Sequence, residues 1–469
     1  MKLSRGVAAF AVVALSLTGS RAFAQSAASD SGDKAQGDKP EQSSAPAEDT
    51  KAPESTDAKD KVAPPAAEQP AEPPKAEPAK VEATSQANPY QPFAPTPGSL
   101  RLEAEGVSMQ FGVLLQPQFE VAGAPDAELT TKNFFVRRTR FMLGGTVLKY
   151  FEYFLELDYP NLFKLDPTET TAGTGKNAPG LNVQDALVTV APVGDYIKAD
   201  MGFMLPAGPY NSLQSAGKLF GVDYFANTFR RNVSTNADPF RSTQQSPVGR
   251  DAGIQLRGLL LGGHLEYRFG AFQGLRAGPI PAAAPKPARV GGFNITRFAG
   301  RLQVNILDGQ PGFFYSGTTL GQKKVISLGV FGDWQADTAT SGKERHDYKY
   351  YGADATVDLP LGPGILNAQG GYSFWDGGTL LNTVPTYVMM GELGYLIGPI
   401  KLSPFVRAEH MVAVNPTNAQ PSEDRFGAGI GFWPFGHTSN LKAFFSYNKR
   451  DPAPHAFTQT NLQWQLYFY

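Results

Sequence analysis

The chain has no cysteine in 469 residues. That excludes disulfides, thiolate metal sites and cysteine nucleophiles together. Histidine is almost as scarce: His264, His346, His410, His437 and His455 stand far apart, with no spacing that would gather metal ligands. His410 directly follows Glu409, so on a strand the two would point to opposite faces and could not act as an acid/base pair. No serine lies in a nucleophile motif, and phosphate-cradling or dinucleotide-binding glycine patterns are missing. These absences read as a protein that is not an enzyme and that uses neither cofactor nor metal.

Long apolar runs are also lacking. Beyond the first residues none approaches the ~18–20 that a membrane-spanning helix needs. The N-terminus, with Lys2 and Arg5, a short apolar stretch and then Ala22-Phe23-Ala24, has the layout of a secretory signal cleaved after Ala24. Residues 25–88 contain no aromatic residue and consist almost wholly of Ala, Pro, Glu, Lys, Asp, Ser and Gln. Such a segment cannot bury enough apolar area to offset its ordering entropy, and is expected to be a disordered periplasmic linker. Its net charge is −6 and that of the signal +3, which leaves +2 on residues 89–469. A near-neutral folded part argues against a nucleic-acid partner.

What is abundant is glycine (50), phenylalanine (32) and tyrosine (18), a composition suited to strands and turns. Alternation of apolar and polar residues begins at Ser108. In FEYFLELDY, Phe151, Tyr153, Leu155, Leu157 and Tyr159 oppose Glu152, Glu156 and Asp158. The closing NLQWQLYFY sets Leu462, Trp464, Leu466 and Phe468 against Gln463, Gln465, Tyr467 and Tyr469. Sixteen such segments follow one another: 108–121, 133–147, 151–159, 182–190, 196–203, 250–259, 264–272, 293–307, 324–334, 348–358, 365–375, 385–396, 400–411, 425–433, 440–448 and 457–469. Short and long connections alternate between them, as in an up-and-down transmembrane barrel. The link at 308–323 is long where a short one is due, which suggests that the eighth and ninth strands extend into it. With helices excluded, a closed sheet is the remaining way to satisfy backbone groups in lipid. Closure would pair the last strand with the first, giving an all-β transmembrane antiparallel barrel over 108–469, preceded by a lead-in at 89–107.

The stretches FFVRRTRFMLGGTV, FEYFLELDY, NVQDALVTVAPVGDYIKADMGFMLPAGPYNSL and GRDAGIQLRG, in that order, resemble the phosphate-selective porin O and P family of Gram-negative outer membranes. The resemblance continues through GIGFWPFGHTSNLKAFFSYNKR and the closing strand, so it spans about residues 105–469. It implies a sixteen-stranded, trimeric outer-membrane porin contacting lipid and lipopolysaccharide and conducting small anions such as phosphate. The chain departs from the family's pattern in two ways: Phe468 is followed by Tyr469, and no dense lysine cluster can be placed.

Alternation puts Arg138, Arg140, Lys198, Arg257, Arg268, Arg297, Arg301, Arg407 and Lys442 on the face opposite the apolar one, where they would line a pore. Arginine's planar fork suits carboxylate and phosphate. Acids share that face, among them Glu152, Glu156, Asp158, Glu266, Asp354, Asp358, Glu392 and Glu409. The connection 204–249 is long and aromatic, as an inward-folded constriction loop would be, with Lys218, Arg230, Arg231 and Arg241 as its cations. The function read here is passive diffusion of small hydrophilic solutes, with anions preferred. The alternative is a structural barrel whose linker tethers the envelope, for example to peptidoglycan, with little transport.

Overall fold

A computed structural model describes residues 100–123, 130–164, 180–225, 249–274, 289–290, 297–341, 344–377, 385–416, 422–452 and 456–469. The signal, the linker and Arg230, Arg231 and Arg241 lie outside them. The strands are β1 (Leu100–Ala104), β2 (Val107–Gly123), β3 (Thr130–Val147), β4 (Phe151–Asp158), β5 (Asn182–Val190) and β6 (Lys198–Met204). There follow β7 (Asp251–Leu260), β8 (Leu265–Phe272), β9 (Arg289–Val290), β10 (Arg297–Asn305), β11 (Val325–Ser341) and β12 (Glu344–Leu361). The last are β13 (Gly364–Asp376), β14 (Thr386–Ile397), β15 (Leu402–Ala413), β16 (Ser422–Phe435), β17 (Ser439–Asp451) and β18 (Ala456–Phe468).

Sixteen of these form one antiparallel sheet in chain order, from β2 to β8 and from β10 to β18, and β18 pairs back onto β2 from Thr458↔Gly123 to Phe468↔Val113. The barrel is closed. On the inner side of this seam an amide ladder replaces water: Gln463 Nε2 donates to Gln118 Oε1, Gln118 Nε2 to Asn461 Oδ1, and Gln116 Nε2 to Gln465 Oε1, each at 2.9 Å. On the outer side Leu462, Trp464 and Leu466 are exposed. Tyr469 lies on the inner side beyond Phe468, over Gly112 and Gly144, with its ring 5.7 Å from that of Phe154. The extra residue therefore fills space inside the barrel and leaves Phe468 in step with the outer apolar row.

The two short strands lie outside the ring of sixteen. β1 pairs with β2 through Leu100↔Phe111 to Ala104↔Val107, just past the point where β18 ends, so the lead-in contributes a strand of its own. β9 touches β11 at Ala339↔Val290.

The outer wall is apolar. Met201, Ile254, Phe269, Phe298, Leu328, Val330, Leu393, Val406 and Ile430 are all exposed there. A closed sheet with such a belt satisfies its backbone internally and presents hydrocarbon to hydrocarbon, as a membrane requires. At the short-turn end three tyrosines lie across glycines and donate to backbone carbonyls: Tyr153 to Ser108 O over Gly145, Tyr267 to Tyr196 O over Gly258, and Tyr395 to Leu361 O over Gly364. A β-carbon at any of the three would collide with a backbone carbonyl and with the tyrosine side chain. At the other end β11 and β12 run on to Ser341 and Glu344, well past the 334 and 348 expected from alternation. The sequence there, DTATS and ERHD, carries no alternation of large apolar residues, so nothing in it reveals the hairpin.

Candidate functional site: a divided lumen

The connection between β10 and β11 corrects the expectation of longer strands at 308–323. β10 stops at Asn305 and β11 starts at Val325, and the intervening chain turns into the barrel from the short-turn end. From the long-loop end, residues 205–225 also fold inward, with Leu205, Tyr210, Leu213, Leu219, Phe220 and Phe225 almost fully buried. The two segments meet. Ser215 N donates to Tyr315 O (2.8 Å), Tyr315 N to Leu213 O (2.9 Å) and Thr318 N to Lys218 O (3.1 Å). The rings of Tyr210 and Tyr315 stack 4.5 Å apart. Together they form a septum across the lumen.

Backbone buried inside a barrel needs hydrogen-bond partners, and the wall supplies them. Arg301 Nη1 donates to Gly208 O (3.2 Å), while Asp354 Oδ2 accepts from Tyr210 N (2.8 Å). Lys442 Nζ donates to Leu219 O (2.6 Å) and Gly221 O (3.0 Å), and Arg407 Nη1 to Asp223 O (2.7 Å). For the inner segment, Arg257 Nη1 donates to Pro311 O (2.9 Å), Arg268 Nη1 to Phe313 O (2.7 Å) and Asn367 Nδ2 to Gly317 O (2.7 Å). Asp358 accepts from Thr318 Oγ1 and from both Thr319 N and Thr319 Oγ1. Side chains that would contact solute in an open pore instead hold these two segments.

All nine wall cations named from alternation lie on the inner face, and all are buried: Arg297 is 0 % exposed, Arg268, Arg301 and Lys442 1 %, Arg407 9 %. Eight are ion-paired. Arg138 pairs with Asp223 (2.5 Å), Arg140 with Glu156 (2.6 Å) and Asp158 (3.2 Å), and Lys198 with Glu152 (3.1 Å). Arg257 pairs with Asp200 (2.8 Å), Arg268 with Glu266 (2.8 Å), Arg301 with Asp354 (2.6 Å), Arg297 with Asp251 and Asp333, and Arg407 with Glu392. Lys442 is held by carbonyls. These pairs cancel the wall's charge locally, so its cations make clamps and not an open ladder. Alternation alone missed Asp185, Asp200, Asp251, Asp333 and Arg250. The signal was present for Asp200, two residues from Lys198 and so on its face.

Lys218 differs. It lies in the inward loop, half-buried, and among the described residues no carboxylate stands within ion-pair distance of it. Burial pushes its ammonium below the ordinary lysine value. Asp223, in the same loop, shows the opposite balance: burial alone would raise its carboxyl, but Arg137 and Arg138 hold it well below the usual range. His437, in the turn between β16 and β17, is pushed down to about 3 by burial, reinforced by Lys218 and Lys442. Its Nε2 contacts Thr318 O at 3.0 Å.

Among the described residues, two cavities on opposite sides of the septum have no lining residue in common. The one on the long-loop side, about 520 Å³, is bounded by Arg137, Lys164, Asp223, Glu409, Arg425 and Arg450, with aromatic rings between them. The other, on the short-turn side, about 380 Å³, is bounded by Glu152, Glu156, Lys198, Lys218, Arg257 and Tyr467.

No family model matches the sequence, and no curated protein sequence does. Solved structures do resemble the fold. The outer membrane channel DcaP of Acinetobacter baumannii matches with a TM-score of 0.50 at 11 % identity, over 79 % of this chain and 100 % of that one. An anion-selective porin from Comamonas acidovorans matches with a TM-score of 0.48 at 12 % identity, over 77 % of this chain and 100 % of that one. Salmonella typhi OmpF matches with a TM-score of 0.46 at 10 % identity, over 78 % of this chain. At such identities a likeness concerns architecture alone: this chain carries a porin-type closed barrel of sixteen antiparallel strands, with a lumen divided by its own inward segments.

Proposed function

We propose that the chain is a passive channel of the Gram-negative outer membrane, conducting small hydrophilic solutes and preferring anions. The observation that carries the preference is Lys218. Every wall cation named above is bound to a carboxylate or to carbonyls, while Lys218 sits at the septum, on the wall of the short-turn cavity, with no anionic partner among the described residues. A partly desolvated, unpaired ammonium at a constriction replaces part of an anion's hydration and repels cations. Inorganic phosphate is one such anion, the one implied by the sequence resemblance. The test is flux into liposomes containing the purified protein. Chloride flux exceeds potassium flux in the wild type, and the excess shrinks in Lys218→Gln. Equal fluxes in both proteins, or no flux from a folded barrel, contradict the proposal.

A further inference from the structure

We infer that the long-loop cavity is a binding site for an organic carboxylate with an apolar or aromatic body, and that it takes such a solute in preference to inorganic phosphate. The inference rests on the channel reading above and names a solute class for it.

Four guanidinium groups line this cavity, those of Arg137, Arg407, Arg425 and Arg450, and Arg407 is paired with Glu392. Arg137 donates Nε to Asp223 Oδ2 at 2.8 Å, and Arg138 donates to the other oxygen of the same carboxylate. Arg425 and Arg450 share Glu423, each through Nε, the latter at 2.8 Å. Both Nη groups of Arg425 and of Arg450 are without a protein partner among the described residues, and the Arg450 side chain is 31 % exposed. Two adjacent forks, oriented from behind by one buried carboxylate, are therefore free to take a third carboxylate.

Charge and shape narrow the ligand. Glu120, Asp223 and Glu409 also line the cavity, against Arg137, Lys164, Arg407, Arg425 and Arg450. Adding the partners just behind the wall (Arg138, Glu392 and Glu423) leaves one positive charge in excess among the described residues. One excess charge matches a monoanion. It is a poor match for a phosphate dianion, which is more strongly hydrated and would meet three carboxylates. The apolar part of the wall comes from Phe135, Phe444 and Phe457. The Arg450 guanidinium already lies 4.9 Å from the centre of the Phe457 ring. A ligand ring placed there extends this stack while its carboxylate meets Arg425 and Arg450. The volume suits a small organic molecule and leaves a lone phosphate surrounded by water.

The experiment is calorimetric titration of the folded, detergent-solubilised barrel with sodium benzoate and, separately, with inorganic phosphate. The result expected is saturable benzoate binding at least ten-fold tighter than phosphate, weakened at least ten-fold in Arg450→Gln. That variant leaves Glu423 paired with Arg425, and retained heat-modifiable migration of the barrel shows that it folds. Equal or tighter phosphate binding, no benzoate binding, or benzoate binding unchanged in folded Arg450→Gln overturns the inference. The titration needs no ion flow, so a barrel that binds benzoate and conducts nothing refutes the channel reading alone.

Discussion

Asp358→Asn tests whether the septum is held by the wall. Asp358 accepts four hydrogen bonds: Thr318 Oγ1 (3.0 Å) and Asn367 Nδ2 (3.0 Å) on one oxygen, and Thr319 N (2.6 Å) and Thr319 Oγ1 (2.6 Å) on the other. An asparagine is the same size but presents an NH2 in place of one oxygen. Whichever way the amide turns, one N–H donor, of Asn367 or of Thr319, then faces a donor, and the hydroxyl beside it must turn to accept. Hydrogen bonds to charged groups contribute ~1.5–3 kcal/mol each and do not add fully, so the inner segment should lose about 2–4 kcal/mol of anchoring. At ~1.4 kcal/mol per factor of ten, its released state becomes roughly 30 to 700 times more populated. Arg257, Arg268 and Asn367 still hold the neighbouring carbonyls, so the release is local. Single-channel recording in a planar bilayer would show frequent excursions to higher conductance, with the barrel's heat-modifiable migration unchanged. A variant trace identical to the wild type, from folded protein, would refute the claim that this carboxyl anchors a flow-limiting element.

Further predictions concern single groups. Because burial lowers the Lys218 pKa, its charge is lost as pH rises through a value below that of an ordinary lysine. Anion preference should therefore decline with rising pH below ~10.4, measured as the zero-current potential across a pH series, and Lys218→Gln should abolish that decline. His437 is lowered to about 3 in the folded protein against ~6.5 unfolded, so between these values the unfolded state binds more protons. Its contribution to stability is complete above ~6.5 and falls as pH drops toward 3, and a buried charge beside Lys218 and Lys442 should loosen the turn that carries it, read as increased current noise that His437→Gln suppresses. Tyr469→Ala empties the space over Gly112 and Gly144 and removes the edge contact with Phe154. It should cost about 1–3 kcal/mol of seam stability, seen as a lower temperature for loss of the heat-modifiable form, with conductance retained.

The wall was legible because each strand faces two solvents. Where one side meets hydrocarbon and the other the lumen, as in Leu462 to Phe468, alternation reports both, and closure explains why NLQWQLYFY does not fray. Legibility ended where that contrast ended, at the polar hairpin tip of β11 and β12. The inner segment was hidden for a different reason. Its Phe313, Phe314 and Tyr315 are aromatic residues in a connection, a sign of burial, but nothing local says against what. The pairing of the wall cations was also illegible. Arg301 finds Asp354, 53 residues away and two strands further round the wall, by reaching across the lumen surface. Alternation gives the face of a side chain and says nothing of its partner, so residues that read as an open ladder became clamps.

The divided lumen is expected to conduct, with a cation at the septum setting the sign of selectivity. The zero-current potential of the purified protein in a planar bilayer under a KCl gradient tests both at once. The expected result is open channels with an anion-selective potential that moves toward zero in Lys218→Gln. A cation-selective potential, or a folded barrel that carries no current, would contradict it.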